Sequence, residues 1–252
     1  MKQASVIRAY LDQSIISAAL PSKYWRVRVL SEVSSTQDLL KSELIGNGEC
    51  VVAEFQSAGR GRLERKFESV PNVALLFSFY IEPTRKLNWG WIPLLAGIAV
   101  ARALNEETDS NYFKTKWPND VIADSGKICG VLCERHGNGI IVGIGINVST
   151  IPTELPVPSA SSIFIESGIE LDRNTLLPAI LTSFEELFAR WNSGEDLKPS
   201  YRALSQTIGM EVSVLLPDGG SINGRAIDVD IEGQLILENG DLISLGDVLH
   251  LR

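Results

Sequence analysis

The chain has 252 residues, 44% of them hydrophobic and 21% charged, with a formal net charge of -8 at pH 7. That composition belongs to a globular protein of one large domain, or one domain with a small appendage, and excludes a disordered chain. The acidic balance argues against broad nucleic-acid binding, which needs a basic face to neutralise phosphates, and no apolar run reaches the ~18–20 residues that span a bilayer.

Residues 1 to 22 are loosely amphipathic, with Ile7, Leu11, Ile15 and Ile16 near helical spacing and Pro21 as a stop. Asp12 and scattered polar groups replace the apolar block of a signal peptide, so a cytoplasmic location and no membrane partner are expected. Tyr24 to Leu30 alternates with a period of two, as a strand does. Ser35, followed three positions later by Asp38, opens a helix from about Thr36 to Ile45. The hydroxyls of Ser35 and Thr36 serve as helix caps or as a hydrogen-bonding shelf for a polar ligand.

Cys50 to Phe55 reads as a buried strand that delivers the chain to Glu54–Phe67, where Arg60, Arg62, Arg65 and Lys66 crowd around Gly59 and Gly61. Glycine lets the backbone approach a ligand closely, and guanidinium forks match phosphate or carboxylate oxygens. The segment reads either as an anion-holding loop or as a solvated charged turn. Val73 to Ile81 is a second buried strand, and Trp89 to Leu104 a mostly apolar helix that tolerates Pro93 in its first turn.

Tyr112 to Trp117 alternates again and ends in Lys116-Trp117-Pro118-Asn119-Asp120, where Pro118 marks a strand end or bulge. Asp124-Ser125-Gly126 makes the turn of a hairpin whose second strand, Lys127 to Glu134, places Lys127, Cys129, Val131 and Cys133 on one face. Gly139 to Val148 is a central strand whose Gly143 and Gly145 let another backbone or a ligand lie close. It lacks the third glycine and the helix of a dinucleotide fingerprint. A Pro-rich connector, Ile151 to Pro158, precedes a long helix capped by Asp172, and from about Ile208 short strands and tight turns indicate a small all-β module. Cys50, Cys129 and Cys133 are expected as reduced packing residues, and with His136 and His250 as the two histidines no structural metal is expected.

Ser35-Thr36, Glu54 to Arg62, Lys116 to Asp120, Gly126 to Leu132 and Gly143 to Val148, in this order and ahead of a β module, resemble the sequence blocks of bacterial biotin–protein ligases of the short, monofunctional kind. The likeness covers about Trp25 to Arg252. It implies an α/β (α+β) fold: a mixed-sheet catalytic domain of the class II synthetase-like biotin/lipoate ligase type over residues 1–205, and an SH3-like β-barrel over 206–252.

The resemblance further implies a two-step reaction. Biotin is activated by ATP and Mg2+ as biotinyl-5'-AMP, and the biotinyl group then passes to a lysine of the biotin carboxyl carrier protein domain of a biotin-dependent carboxylase. Carried over by position, Ser35, Thr36, Gln37, Gln56, Gly59, Arg60, Gly61 and Lys127 would bind biotin. Arg62, Lys116, Asn119, Asp120 and Asn147 would face the nucleotide, with Arg62, Lys116 and Lys127 as the catalytic cations, and the metal ligands stay open.

A monomer or weak homodimer without the DNA-binding domain of the bifunctional repressors is expected, hence no DNA partner. The chain departs from the family pattern at Glu64 and Phe67, where a Gly and a Trp are common, and at Gln37, where Asn is common. Two rivals stand beside this reading: a lipoate ligase of the same superfamily, whose dithiolane substrate would want a more apolar pocket, and a binding module without catalysis.

Overall fold

The computed structural model of the chain describes residues 8–43, 45–62, 65–84 and 89–251. Ile7 and Glu64, both singled out above, lie outside the described residues. The larger part contains α1 (Gln13–Ala19), β1 (Arg26–Leu30), α2 (Thr36–Ser42), β2 (Glu49–Ala53), β3 (Ala74–Ile81) and α3 (Trp91–Glu107). It continues through β4 (Lys114–Lys116), β5 (Asp120–Ala123), β6 (Gly126–His136), β7 (Gly139–Asn147), α4 (Ile163–Ser167), α5 (Arg173–Asn192) and α6 (Lys198–Leu204). Its seven strands form one mixed sheet in the order β1-β2-β3-β7-β6-β5-β4, with β1 and β2 parallel and the remaining neighbours antiparallel.

The central strands have two buried faces with different tasks. Leu75, Phe77, Phe79 and Ile81 of β3, together with Ile140, Val142, Ile144 and Ile146 of β7, join the main core beneath α3 and α5. By the two-residue period, Leu76, Ser78 and Tyr80 of β3 and Gly143, Gly145 and Asn147 of β7 point the other way. There, Leu76 packs with Val73, Ala74 and Phe67, and Tyr80 packs with Leu40 of α2.

Ser35 caps α2 by accepting from the Asp38 N–H at 3.3 Å. The helix stops at Ser42, three residues before the expected end, because Glu43 turns extended and its carboxylate pairs with Arg28 of β1. In the hairpin of β5 and β6 the register shifts between Val121 and Ile122. A bulge there buries Ile128 and Cys129 consecutively, so the even alternation expected from Lys127 to Cys133 is interrupted. The three cysteines are free, as expected.

β8 (Glu211–Leu215), β9 (Ser221–Val229), β10 (Leu235–Leu237), β11 (Leu242–Ile243) and β12 (Asp247–His250) form a separate antiparallel sheet in the order β11-β10-β9-β8-β12, consistent with an SH3-like module. It joins the larger part through the Trp91 indole, which donates to the Asp230 carbonyl at 3.1 Å, and the Trp117 indole, which donates to the Gly233 carbonyl at 3.0 Å. Gly90 and Gly233 meet backbone to backbone there, closer than side chains would permit.

The segment entering the Arg/Gly loop is anchored by a buried ion pair. Glu54 Oε2 accepts from Arg173 Nη1 at 2.6 Å, and the two side chains are 8% and 4% exposed. Arg173 also donates to the carbonyls of Ala74 and Ala9, while Glu54 accepts from the Leu11 N–H. One arginine in the first turn of α5 thus ties the start of the described chain, the end of β2 and β3 together. Removing one partner of such a pair strands a buried charge, so Arg173→Leu is expected to lower unfolding free energy by about 3–5 kcal/mol. The denaturant midpoint measures this, and a midpoint equal to that of the parent chain would contradict the anchoring role.

Candidate active site

The face of the sheet opposite α3 and α5 carries a cavity of about 680 Å³. Its floor exists because side chains are missing from it: Gly143 and Gly145 of β7 and Gly130 of β6 all line it, and Gly130 pairs with Gly145 across the two strands. A Cβ on Gly143 would come within 2.3 Å of Gln37 Oε1, and one on Gly145 within 2.7 Å of the Phe67 ring, so neither position has room for another residue.

At one end stand the residues around the start of α2. A parallel bridge between Val33 and Gln56 brings the chain after β2 alongside the chain before α2. As a result Gln56 Oε1 accepts from Thr36 N at 2.7 Å and from Thr36 Oγ1 at 2.9 Å. Thr36 Oγ1 also lies 2.7 Å from Ser78 Oγ. The Gln37 amide is buried and spans the wall, donating to Glu134 Oε2 at 2.9 Å and to the Leu132 and Ile141 carbonyls at 3.4 Å. The amide substituted for the common Asn therefore works chiefly as a tie across the wall.

The Arg/Gly loop forms the second wall. It doubles back through a bridge between Arg60 and Lys66, with the Gly61 N–H donating to Arg65 at 2.7 Å and the Phe67 N–H to Gly59 at 3.0 Å. Gly59 is needed because a Cβ there would meet the Phe67 carbonyl at 2.4 Å. Gly59 itself lines an adjoining recess, while Arg60, Gly61, Arg62, Arg65 and Lys66 line both.

Each of the loop's three arginines is held by an oxygen. Arg60 pairs with Asp38 at 2.5 Å and Glu134 at 3.0 Å. Arg62 donates to Asn119 Oδ1 at 2.9 Å and to the Gly246 carbonyl, with Asp247 at 3.8 Å, and Arg65 pairs with Asp247. Burial lowers the Arg62 pKa and the nearby Asp120 charge partly opposes it, so Arg62 is a desolvated cation suited to an anion.

The third wall holds Lys127, Asp120, Asn119 and Asn147. Lys127 Nζ lies 2.7 Å from Asp120 Oδ1. The Lys127 backbone is pinned on both sides by residues 159–161, through its N–H to Ser159 at 2.9 Å and its carbonyl from Ser161 at 2.8 Å. Asn119 donates to the Val131 carbonyl at 2.6 Å, which aims its oxygen at Arg62. Asn147 donates to the Ser161 carbonyl at 2.9 Å and so fastens the same strap to β7.

Of the residues expected from the sequence, Ser35, Thr36, Gln37, Gln56, Arg60, Gly61, Arg62, Asn119, Asp120, Lys127 and Asn147 converge on the cavity. Lys116 does not line it. It sits on β4 as the register partner of Asp120, with its pKa lowered first by burial, while the charges of Asp120 and Lys127 act on it in opposite senses. Sequence reasoning missed Ser78, Glu134, Asp247 and the strap residues Pro156, Val157, Ser159 and Ala160. Ser78 left one trace, a lone hydroxyl in the apolar run Leu75-Leu76-Phe77-Ser78-Phe79, whereas Asp247 lies more than a hundred residues from its partners and left none.

Residues 29–150 match the model of the biotin/lipoate A/B protein ligase family. The biotin–[acetyl-CoA-carboxylase] ligase of Mycobacterium tuberculosis is 35% identical over 243 residues, which are 90% of this chain and 90% of that protein. The bifunctional ligase/repressor of Escherichia coli is 31% identical, over 90% of this chain and 74% of that protein. Among solved structures, the biotin protein ligase of Aquifex aeolicus in complex with biotin and ATP superposes with a TM-score of 0.79 at 32% identity, covering 90% of this chain and 98% of that one.

Glu134 is the shared acceptor of the wall, taking Lys41 at 2.6 Å, Arg60 and Gln37. Burial alone would push its carboxyl up, but these partners together lower it below the usual 4.5. A carboxylate depressed in the folded state stabilises above its unfolded pKa and loses that contribution as pH falls through the folded value. Thermal midpoints measured between about pH 5 and pH 3 are therefore expected to fall less steeply in Glu134→Gln than in the parent; parallel curves would refute it.

Proposed function

The chain belongs to the biotin/lipoate A/B protein ligase family, and we propose that it is the ATP-dependent enzyme that activates biotin as biotinyl-5'-AMP and transfers it to a lysine of a biotin carboxyl carrier protein domain. The observation that carries this reading is one cavity with a polar notch of Thr36, Ser78, Gln37 and Gln56 at one end and Arg62 with Lys127 at the other. The notch offers hydroxyl and amide partners to a ureido ring. The cations suit a carboxylate meeting a triphosphate.

In the first step a biotin carboxylate oxygen attacks the α-phosphorus of ATP, the bond to the bridging oxygen breaks, and pyrophosphate leaves. Two anions must approach each other, so fixed cations that strengthen their contacts as charge develops supply the catalysis. Lys127 neutralises the carboxylate and then an α-phosphate oxygen, and Asp120 keeps its ammonium in place until the anions arrive. Arg62, held by Asn119, closes over the adenylate and slows its escape. Lys116, behind Asp120, adds positive field from outside the cavity. Ser35, Thr36, Gln56, Arg60, Gly59 and Gly61 shape the biotin end, and Asn147 with the strap borders the nucleotide end.

In the second step the neutral amine of the carrier lysine attacks the acyl carbon and AMP departs. Magnesium would be held mainly by ATP oxygens. Among the described residues no group of three or more His, Cys, Asp or Glu forms an all-protein site, and Asp120, which lines the cavity, would offer such an ion a carboxylate oxygen. We place the boundary between the catalytic domain and the C-terminal module at 205/206, where Ser205 bridges Thr115 of β4, the edge strand of the large sheet.

Pyrophosphate release from ATP tests the substrate: release with biotin and not with lipoate is expected, and the reverse would make the chain a lipoate ligase. In the same assay Lys127→Ala is expected to lower the rate on the order of 100- to 1,000-fold, the scale of losing one preorganised charge donor. Normal release by this variant would remove Lys127 from the mechanism. Arg62→Ala is expected to lose the adenylate roughly 10- to 100-fold faster, the value of a charged hydrogen bond; retention equal to the parent in a rapid gel-filtration trap would contradict it.

A further inference from the structure

Resting on the biotin-ligase reading, we propose that Ser78 is a positioning and specificity-determining residue, one half of a hydroxyl relay with Thr36 that decides which glutamine oxygen receives an N–H of the substrate's cyclic urea. Ser78 lies midway along β3, opposite Gly143 of β7, and is 1% exposed. The absent side chain of Gly143 leaves its hydroxyl open to the cavity, which it lines.

Four oxygens make a row with three gaps. Gln56 Oε1 to Thr36 Oγ1 is 2.9 Å, Thr36 Oγ1 to Ser78 Oγ is 2.7 Å, and Ser78 Oγ to Gln37 Oε1 is 3.3 Å. Both ends of the row are acceptors. Gln37 is fixed with its oxygen inward because its nitrogen donates to Glu134, Leu132 and Ile141. Gln56 is fixed because its oxygen takes the Thr36 N–H at 2.7 Å.

The two hydroxyls bring two protons to three gaps. Two oxygens 2.7 Å apart must share a proton, so the middle gap is filled and one outer gap is left without one. If Thr36 donates to Gln56, Ser78 donates to Thr36 and the oxygen of Gln37 stands open. If Thr36 donates to Ser78, Ser78 donates to Gln37 and the oxygen of Gln56 keeps a lone pair. In the first state the oxygen of Gln37 is buried with no proton, and in the second the oxygen of Gln56 keeps one lone pair beside the Thr36 N–H it accepts; the chemistry that suits either is an N–H donor. A ureido ring supplies that donor, whereas a dithiolane has none. A buried acceptor left unmatched is costly, and this is how a site built to hydrogen-bond its substrate rejects an analogue without the group.

Removing the Ser78 hydroxyl leaves one proton for the row, which Thr36 gives to Gln56. Gln37 Oε1 is then open in every state and Gln56 Oε1 stays filled, so a substrate N–H directed at Gln56 loses its acceptor and the relay can no longer adjust. The test is steady-state adenylation by Ser78→Ala with biotin, with desthiobiotin, which keeps the urea, and with a biotin methylated on a ureido nitrogen. Ser78→Ala is expected to raise KM for biotin and desthiobiotin about tenfold, with kcat and the KM for ATP within about twofold of the parent. Its discrimination against the N-methyl analogue should shrink by a similar factor. Ser78→Thr, which keeps the hydroxyl, should restore most of the biotin KM. Where Ser78→Ala does not fold, Ser78→Cys carries the same comparison with a weak donor in nearly the same volume. An unchanged biotin KM, or equal rises for biotin and ATP, would overturn the relay. Absence of biotin-dependent pyrophosphate release from the parent chain would instead overturn the ligase reading on which it stands.

Discussion

The constraint that organises this molecule is the need to hold several cations around one cavity in a partly desolvated wall. Unpaired guanidinium and ammonium groups in a partly desolvated wall would repel one another and destabilise the fold. In an acidic protein they are provisioned with local oxygens. Arg60 rests on Asp38 and Glu134, Arg62 on Asn119 and Gly246, Arg65 on Asp247, and Lys127 on Asp120. These contacts are also directional, so the same acids that neutralise the cations aim them. In the proposed function, phosphate and carboxylate oxygens of the substrates take the place of these protein oxygens.

The sheet makes that arrangement affordable in space. β3 and β7 use one face for an apolar core under α3 and α5, and on the other leave room for the cavity between small apolar clusters at Leu76 and Tyr80. Gly143 and Gly145 supply the floor, and Phe67 folds in from the loop to cover the second of them. The buried Glu54–Arg173 pair holds the end of β2 where the loop departs. Rigidity at the base of the loop and charge pairing along its length are therefore separate devices, one built from low exposure and the other from complementary partners.

Much of this could be read from the chain alone. The capping pair at Ser35 and Asp38, the glycine-punctuated strand at Gly143 and Gly145, the Lys127 hairpin and the small β module each rest on a local pattern, and local patterns survive folding. The pairing partners were not legible. Asp247 meets Arg65 across 182 positions, and Glu134 meets Arg60 across 74, distances over which sequence carries no periodic signal. Lys116 shares a motif with Asn119 and Asp120, yet β4 places it behind the wall. The bulge at Ile128 broke an alternation that simple counting predicts. Residues 159–161, just after the proline-rich connector, form a strap whose backbone holds Lys127, a role that depends on hydrogen bonds to main-chain atoms and therefore on no particular side chain.

In the proposed function these paired cations serve acyl-adenylate chemistry that ends on a carrier lysine. Intact mass measurement of a biotin carboxyl carrier domain incubated with the protein, biotin, ATP and magnesium tests it most directly. A gain of one biotinyl group is expected, lost when any one of the three small molecules is omitted. A carrier domain that keeps its original mass while lipoate in place of biotin is transferred to a lipoyl domain would contradict it.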